Sequence, residues 1–210
     1  MRYALLASLL LVASTATARA QGSTHEYRPE IIMTSPRYAG YGLQFLYEQH
    51  LQMADLAPNE RILGLGVVSP TYGLFRFALE VRQVTQPTVT EHRYIPTVYT
   101  TIPLGGGFEL RDRTRFEIRN VNRVYSERVV NRAAIGHDVD LFGVPLWTYG
   151  QFDLWYDSRY RTLNRIDKTI GTRVPLTSKS SLDTFLTRQD DTRRTPHTLL
   201  AVGALLRVAL

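Results

Sequence analysis

"RTRFEIR", Arg113 to Arg119, alternates charge with bulk: Arg113, Arg115, Glu117 and Arg119 take every second position, and Thr114, Phe116 and Ile118 fill the places between. Successive side chains of a β-strand point to opposite faces, so as a strand this stretch has one charged face and one β-branched or aromatic face. Two kinds of sheet accept that arrangement. In a soluble sheet the charged face meets water and the apolar face the core. In a membrane barrel the charges turn into the lumen and the apolar side chains meet lipid.

The same alternation runs along most of the chain. Phe75, Phe77, Leu79 and Val81 alternate with Arg76, Ala78, Glu80 and Arg82. Thr198, Leu200, Val202, Ala204, Leu206, Val208 and Leu210 share a face opposite His197, Ala201, Gly203 and Arg207. Further strand-like segments are Tyr41 to Leu51, Ile62 to Ser69, Glu91 to Ile102, Phe108 to Asn120, Glu127 to Val139, Trp147 to Asp157, Leu163 to Val174 and Ser180 to Gln189. A helix from Leu43 to Ala54 fits the first of these almost as well.

Counted from Tyr41 there are about ten strands of roughly 10 residues, the length a tilted membrane strand requires. The connections alternate in character. "SPTYG", "PLGGG" and "PLTSKS" are compact, whereas Gln52 to Glu60, Gln83 to Thr90, Asn120 to Glu127 and Arg188 to Pro196 are longer and polar; Asp140 to Leu146 falls on the compact side but does not read as tight. The expected fold is therefore all-β, an antiparallel transmembrane β-barrel of about ten strands, with about twelve as the second choice. An even count makes residues 21–40 a periplasmic or plug segment and residues 41–210 the barrel.

Residues 1–20 read as a cleaved secretory signal: Arg2 opens it, Ala4 to Val12 is an apolar stretch too short to span a bilayer, and Ala18 and Ala20 form the small-residue cleavage pattern. The sequence has no Cys, which rules out disulfides, catalytic thiols and thiolate metal sites. The longest uncharged runs beyond residue 20, Ile62 to Phe75 and Tyr94 to Phe108, fall short of the roughly 18 residues of a membrane helix. Lys and Arg number 25 against 19 acids, nearly all of them Arg and interleaved with Glu and Asp. That pattern suits forked ion pairs, not the segregated basic face of a nucleic-acid binder.

The candidate site is the charged face itself. Turned inward, Arg76, Glu80, Arg82, Glu91, Arg93, Glu109, Arg113, Arg115, Glu117, Arg119, Arg132, Asp153 and Arg165 form a lumen network of cross-strand Arg and carboxylate pairs. It either holds a narrow barrel shut or, through its Arg excess, biases an open pore toward anions. Tyr38, Tyr41 and Tyr72 fall near one rim, and Tyr125, Tyr156 and Tyr160 near the other, as interface girdles do. Lys168 goes against the pattern, because it falls on the outward face, where a cation in lipid costs about 2 to 4 kcal/mol; Asn131 and His137 are smaller exceptions.

None of the five His residues has metal-ligand spacing; His137, Asp138 and Asp140 come closest, but strand alternation sets His137 opposite the two acids. For catalysis, the carboxylate and His combinations at the rims are Glu91 with His92, and Asp190 and Asp191 with His197. No Ser beside them marks itself as a nucleophile, so no catalytic residue, metal or cofactor is assigned.

"EHRYIPTVYTTIPLGGGFELRDRTRFEIR", Glu91 to Arg119, resembles an uncharacterised outer-membrane β-barrel family, domain of unknown function 2490. The resemblance rests on Glu91, His92 and Arg93, on Pro103 and Leu104, and on Arg113, Arg115, Glu117 and Arg119, with Arg132, Asp153, Arg165 and Gly171 similar further on. It departs at Pro96 to Val98, and Pro cannot donate to a strand ladder. The resemblance implies a barrel in the bacterial outer membrane, and no activity. The partners expected are outer-membrane lipid, the barrel-insertion machinery and a small solute. The alternatives are a hydrolase built on the outer rim and a soluble periplasmic ligand-binding barrel.

Overall fold

Alternation of this kind commits nearly every residue to a strand, and a computed structural model, which describes residues 24–210, contains eleven. They are β1 (Thr24–Thr34), β2 (Gly42–Gln52), β3 (Pro58–Tyr72), β4 (Phe75–Thr85), β5 (Thr90–Gly105), β6 (Phe108–Val121), β7 (Val124–Leu141), β8 (Val144–Asp157), β9 (Thr162–Thr177), β10 (Ser180–Asp191) and β11 (Thr198–Ala209). Each pairs antiparallel with its sequence neighbours, and β1 closes the barrel by pairing with β11 in parallel, from Thr24 opposite Leu199 to Thr34 opposite Ala209. Closure leaves no unpaired edge.

Two expectations are corrected here. The barrel has eleven strands, not ten or twelve, and the extra one comes from the stretch read as a periplasmic or plug segment: residues 24–34 are a wall strand. Its Glu26, Arg28, Glu30 and Ile32 alternate with Tyr27, Pro29, Ile31 and Met33, so it obeys the same rule as the rest. A parallel closure also allows an odd count, because β1 and β11 need no turn between them. Residues 43–52 are strand and not helix. The expected signal at residues 1–20 lies outside the described residues.

One end of the barrel, the turn end, carries the two-residue links 73–74, 106–107, 142–143 and 178–179, with the longer 35–41 link; the loop end carries 53–57, 86–89, 122–123, 158–161 and 192–197. Two connections are tighter than their sequences suggest. Phe142 and Gly143 (φ 55° and 77°) and Asn122 and Arg123 (φ 48° and 71°) have paired positive φ values, the backbone of the primed turns that match strand twist. Mid-strand Pro96 is accommodated by dropping two successive pairs of the β5 and β6 ladder, at Ile95 and Pro96, while keeping its register on both sides.

The faces sort by charge. Leu65, Leu79, Phe116, Phe152 and Ile170 point outward and are more than half exposed, whereas Arg82, Arg115, Glu117 and Asp153 point inward and are buried. This is the reverse of a soluble sheet. Tyr41 and Tyr72 approach through their hydroxyls at 3.5 Å on the turn end, and Tyr125, Tyr156 and Tyr160 are exposed at the loop end. Lys168 does face outward, but its Nζ lies 3.1 Å from Asp190, which also pairs with Arg188. Outward Asn131 likewise donates to Asp112 at 2.8 Å and to Thr114 at 2.9 Å.

Candidate functional site

The inward faces enclose a cavity of about 1050 Å³ that extends along the barrel. Gly73 and Leu74 of the link between β3 and β4 border it at the turn end; Gln86 and Val89, between β4 and β5, and Arg159, after β8, border it at the loop end. A barrel of about eight strands is filled by its own side chains. Eleven leave room.

Most of the wall is made of ion pairs between neighbouring strands or between residues two apart on one strand. Arg82 holds Glu80 through Nε at 3.0 Å and Nη2 at 2.6 Å. These two lie flat over Gly64 and Gly66 of β3, where a Cβ at Gly66 would come within 2.7 Å of Glu80 Cγ. Glu91 takes Arg93 at 2.8 Å and also Arg119, whose Nη1 reaches Asp157 at 2.8 Å. That reach crosses β7, where the inward residue opposite Arg119 is the short Ser126. Asp157 in turn accepts Arg159 at 2.7 Å, and that hydrogen bond raises the pKa of the Arg159 guanidinium at the loop end above its ordinary value.

Glu117, with its side chain fully buried, receives Arg128 Nε at 2.8 Å and has Arg115 at 3.4 Å. Asp153 is gripped at both oxygens by Arg132, at 2.7 and 2.6 Å, and Arg165 grips Asp167 at 2.8 and 2.6 Å. Asp183 is shared by Arg173 and Arg207. Trp155 forms a floor for three of these guanidiniums, with Arg165, Arg128 and Arg115 at 4.2, 4.5 and 5.5 Å from its ring.

Of the thirteen residues proposed from sequence, Arg76, Glu80, Arg82, Glu91, Arg93, Glu109, Arg113, Arg115, Arg119, Arg132, Asp153 and Arg165 border the cavity, and Glu117 lies beneath the arginines that do. Glu109 and Arg111 pair nearer the turn end, where they are more exposed. Among the described residues, Arg76 and Arg113 have no carboxylate within ion-pair distance; Arg76 lies 4.6 Å over the Tyr99 ring instead.

Two features went unrecognised in the sequence. The first is an acidic corner on β1 to β3, where His50 lies 2.7 Å from Glu48, 3.5 Å from Glu26 and 3.8 Å from Glu60. Glu26 also holds Arg28 at 2.9 Å and Arg194 at 3.4 Å. The signal was present in the period-two spacing of Glu26, Arg28 and Glu30, which the assignment of residues 21–40 to a plug hid. The second is a row across five strands, Gly136, Tyr149, Gly171, Phe185 and Gly203, each directly opposite the next. Tyr149 covers Gly171 and Phe185 covers Gly203, so each ring lies against bare backbone, while Trp147 covers Gly136 and stacks on Tyr149 at 4.7 Å.

The rim combinations considered for catalysis are not assembled. Glu91 is buried inward and His92 is exposed on the opposite face. His197 Nδ1 contacts the backbone oxygen of Asp191 at 3.2 Å, and Asp190 is engaged by Lys168 and Arg188. His137 packs on Phe108 at 4.2 Å and contacts the Gly106 carbonyl, and Asp140 accepts the Gly143 amide of its own turn at 2.8 Å.

No protein-family profile and no curated protein matches the sequence. Among solved structures, an anion-selective porin from Comamonas acidovorans aligns with a TM-score of 0.40 at 14% identity, over 83% of this chain and 54% of the porin. The chain thus spans about half the length of that protein.

Proposed function

We propose that this protein is an outer-membrane β-barrel that gives small solutes, anions in preference to cations, a narrow route across the membrane. The observation that carries the reading is the combination of an apolar exterior with a charged cavity bordered by residues of both barrel ends. Lipid is the solvent in which exposed Leu65, Phe116 and Ile170 cost nothing, and a closed barrel satisfies every backbone group that lipid cannot. Fourteen arginines border the cavity against ten carboxylates, with Glu26, Glu117 and Asp157 pairing with some of them just behind the surface, and Arg76 and Arg113 have no carboxylate partner among the described residues. Fixed positive charge of that kind favours anions. An interior lined by guanidinium and carboxylate offers nothing to an apolar ligand, which disfavours the soluble binding barrel.

Purified protein reconstituted in planar bilayers tests the reading. Stepwise conductance is expected, with a reversal potential in a KCl gradient displaced toward chloride. A protein that shifts on unboiled SDS gels, as closed barrels do, but passes no current would be a sealed structural barrel, and the pore reading would fall.

Exchanging the faces tests the membrane assignment separately. Phe116→Arg places a cation in the apolar belt and is expected to cost about 2 to 4 kcal/mol of folding stability in lipid, whereas the same substitution on a water-exposed face would cost almost nothing. Urea titration of the barrel refolded into vesicles reads the difference.

A further inference from the structure

The wall arginines fall into two groups. Arg82, Arg93, Arg119, Arg128, Arg132 and Arg165 each meet a carboxylate at hydrogen-bond distance. Arg76 and Arg113 meet none among the described residues, and Arg115 has only a loose ion pair with Glu117, at 3.4 Å and without a hydrogen bond. Arg76 and Arg113 lie on strands either side of β5 and are both directly opposite Tyr99, and Arg115 follows Arg113 two residues on along the same face. The Nε of each of the three is buried with no hydrogen-bond partner among the described residues. The carboxylate facing Arg115, that of Glu117, stands 3.4 Å away and is held more closely by Arg128. Glu80, on the same side of the barrel, is occupied by Arg82.

Buried donors without acceptors are costly, and buried guanidiniums such as Arg76 and Arg113 that lack a paired carboxylate more so. Such an arrangement persists where an acceptor arrives from outside. We propose that Arg76 and Arg113, on either side of Tyr99, together with Arg115 next to Arg113 on the same face, form a binding site in the lumen wall for a small oxyanion, a phosphate or a carboxylate. Planar N–H forks match the paired oxygens of either group. The site deepens the pore reading, since a solute reaches it only by entering the barrel, but occupancy can be read without any current.

The test uses the full-length barrel folded in detergent, with inorganic phosphate as the probe followed by phosphorus NMR line broadening, and acetate as competitor. Saturable binding is expected, weakened about tenfold or more in both Arg113→Gln and Arg76→Gln, since each removes charge-assisted hydrogen bonds. Arg111→Gln, whose guanidinium is engaged by Glu109 and Trp147, should bind as the parent does. Arg113→Gln should also melt no lower than the parent, because it removes an uncompensated charge and not a wall ion pair. Displacement of phosphate by acetate at lower concentration would identify a carboxylate site, and the converse a phosphate site. Absence of saturable binding by the parent, or equal binding by parent, Arg113→Gln and Arg76→Gln, would overturn the proposal. Binding with this variant pattern in a barrel that passes no current would keep the site and remove the pore.

Discussion

Glu117→Ala is expected to destabilise the barrel by about 3 to 5 kcal/mol, the range for removing one partner of a buried ion pair and leaving the other behind. Glu117 has no exposed side-chain surface and is the one carboxylate against which both Arg115 and Arg128 are placed. Its removal leaves two guanidiniums on the Trp155 ring with nothing to balance them. The measurement is the heat-modifiable fraction after refolding into vesicles, together with the urea midpoint. Glu109→Ala supplies the contrast, since its pair with Arg111 is about one-third exposed and such pairs contribute about 0 to 1 kcal/mol. In an Arg128→Ala background the loss of Glu117 should cost less than it does alone, because the stranded charge is then partly gone. Equal losses from Glu117→Ala and Glu109→Ala would mean that the inward charges are solvated, and the buried network would have to be abandoned.

The inward and outward assignment from which this prediction follows was legible in the sequence because strand alternation has a period of two and the charges keep to it. What resisted reading was whatever alternation does not encode. The partner of β1 is β11, at the far end of the chain, and no turn motif announces that pairing. With β1 taken for a plug, Glu26 was left out of the lumen network; it is buried and bound to Arg28, His50 and Arg194. The turns at Asn122 and Phe142 were obscure for a local reason. Positive φ is carried there by Asn122, Arg123 and Phe142, where glycine is the usual marker. Arg76 and Arg113, which have no carboxylate partner among the described residues, could not be told from their paired neighbours either, since all occupy the same face and only the register decides which guanidinium meets an acid.

Gly203→Val is expected to be at least as damaging as the loss of Glu117, by a different route. A Cβ at Gly203 would come within 2.0 Å of Phe185 Cζ and 2.3 Å of Cε2, because the ring of Phe185 lies against the bare backbone of the opposite strand. Overpacking commonly costs about 1 to 3 kcal/mol where neighbours can shift, and more where they cannot. Here the ring would have to leave its place and swing into the cavity it borders. Gly150→Val is the matched control: it too is an in-strand glycine, but it points outward and a Cβ there meets nothing within 4 Å. It should fold as well as the parent, since Val suits a strand better than Gly. Phe185→Ala should rescue Gly203→Val, which a merely local intolerance of Val at that backbone position would not allow. If the unrescued variant still folds, Phe185 must have turned inward, and single-channel conductance should fall with the narrowed lumen. Folding and conductance both unchanged would mean that the ring does not rest on Gly203, and the row of glycines and aromatics would lose its structural role.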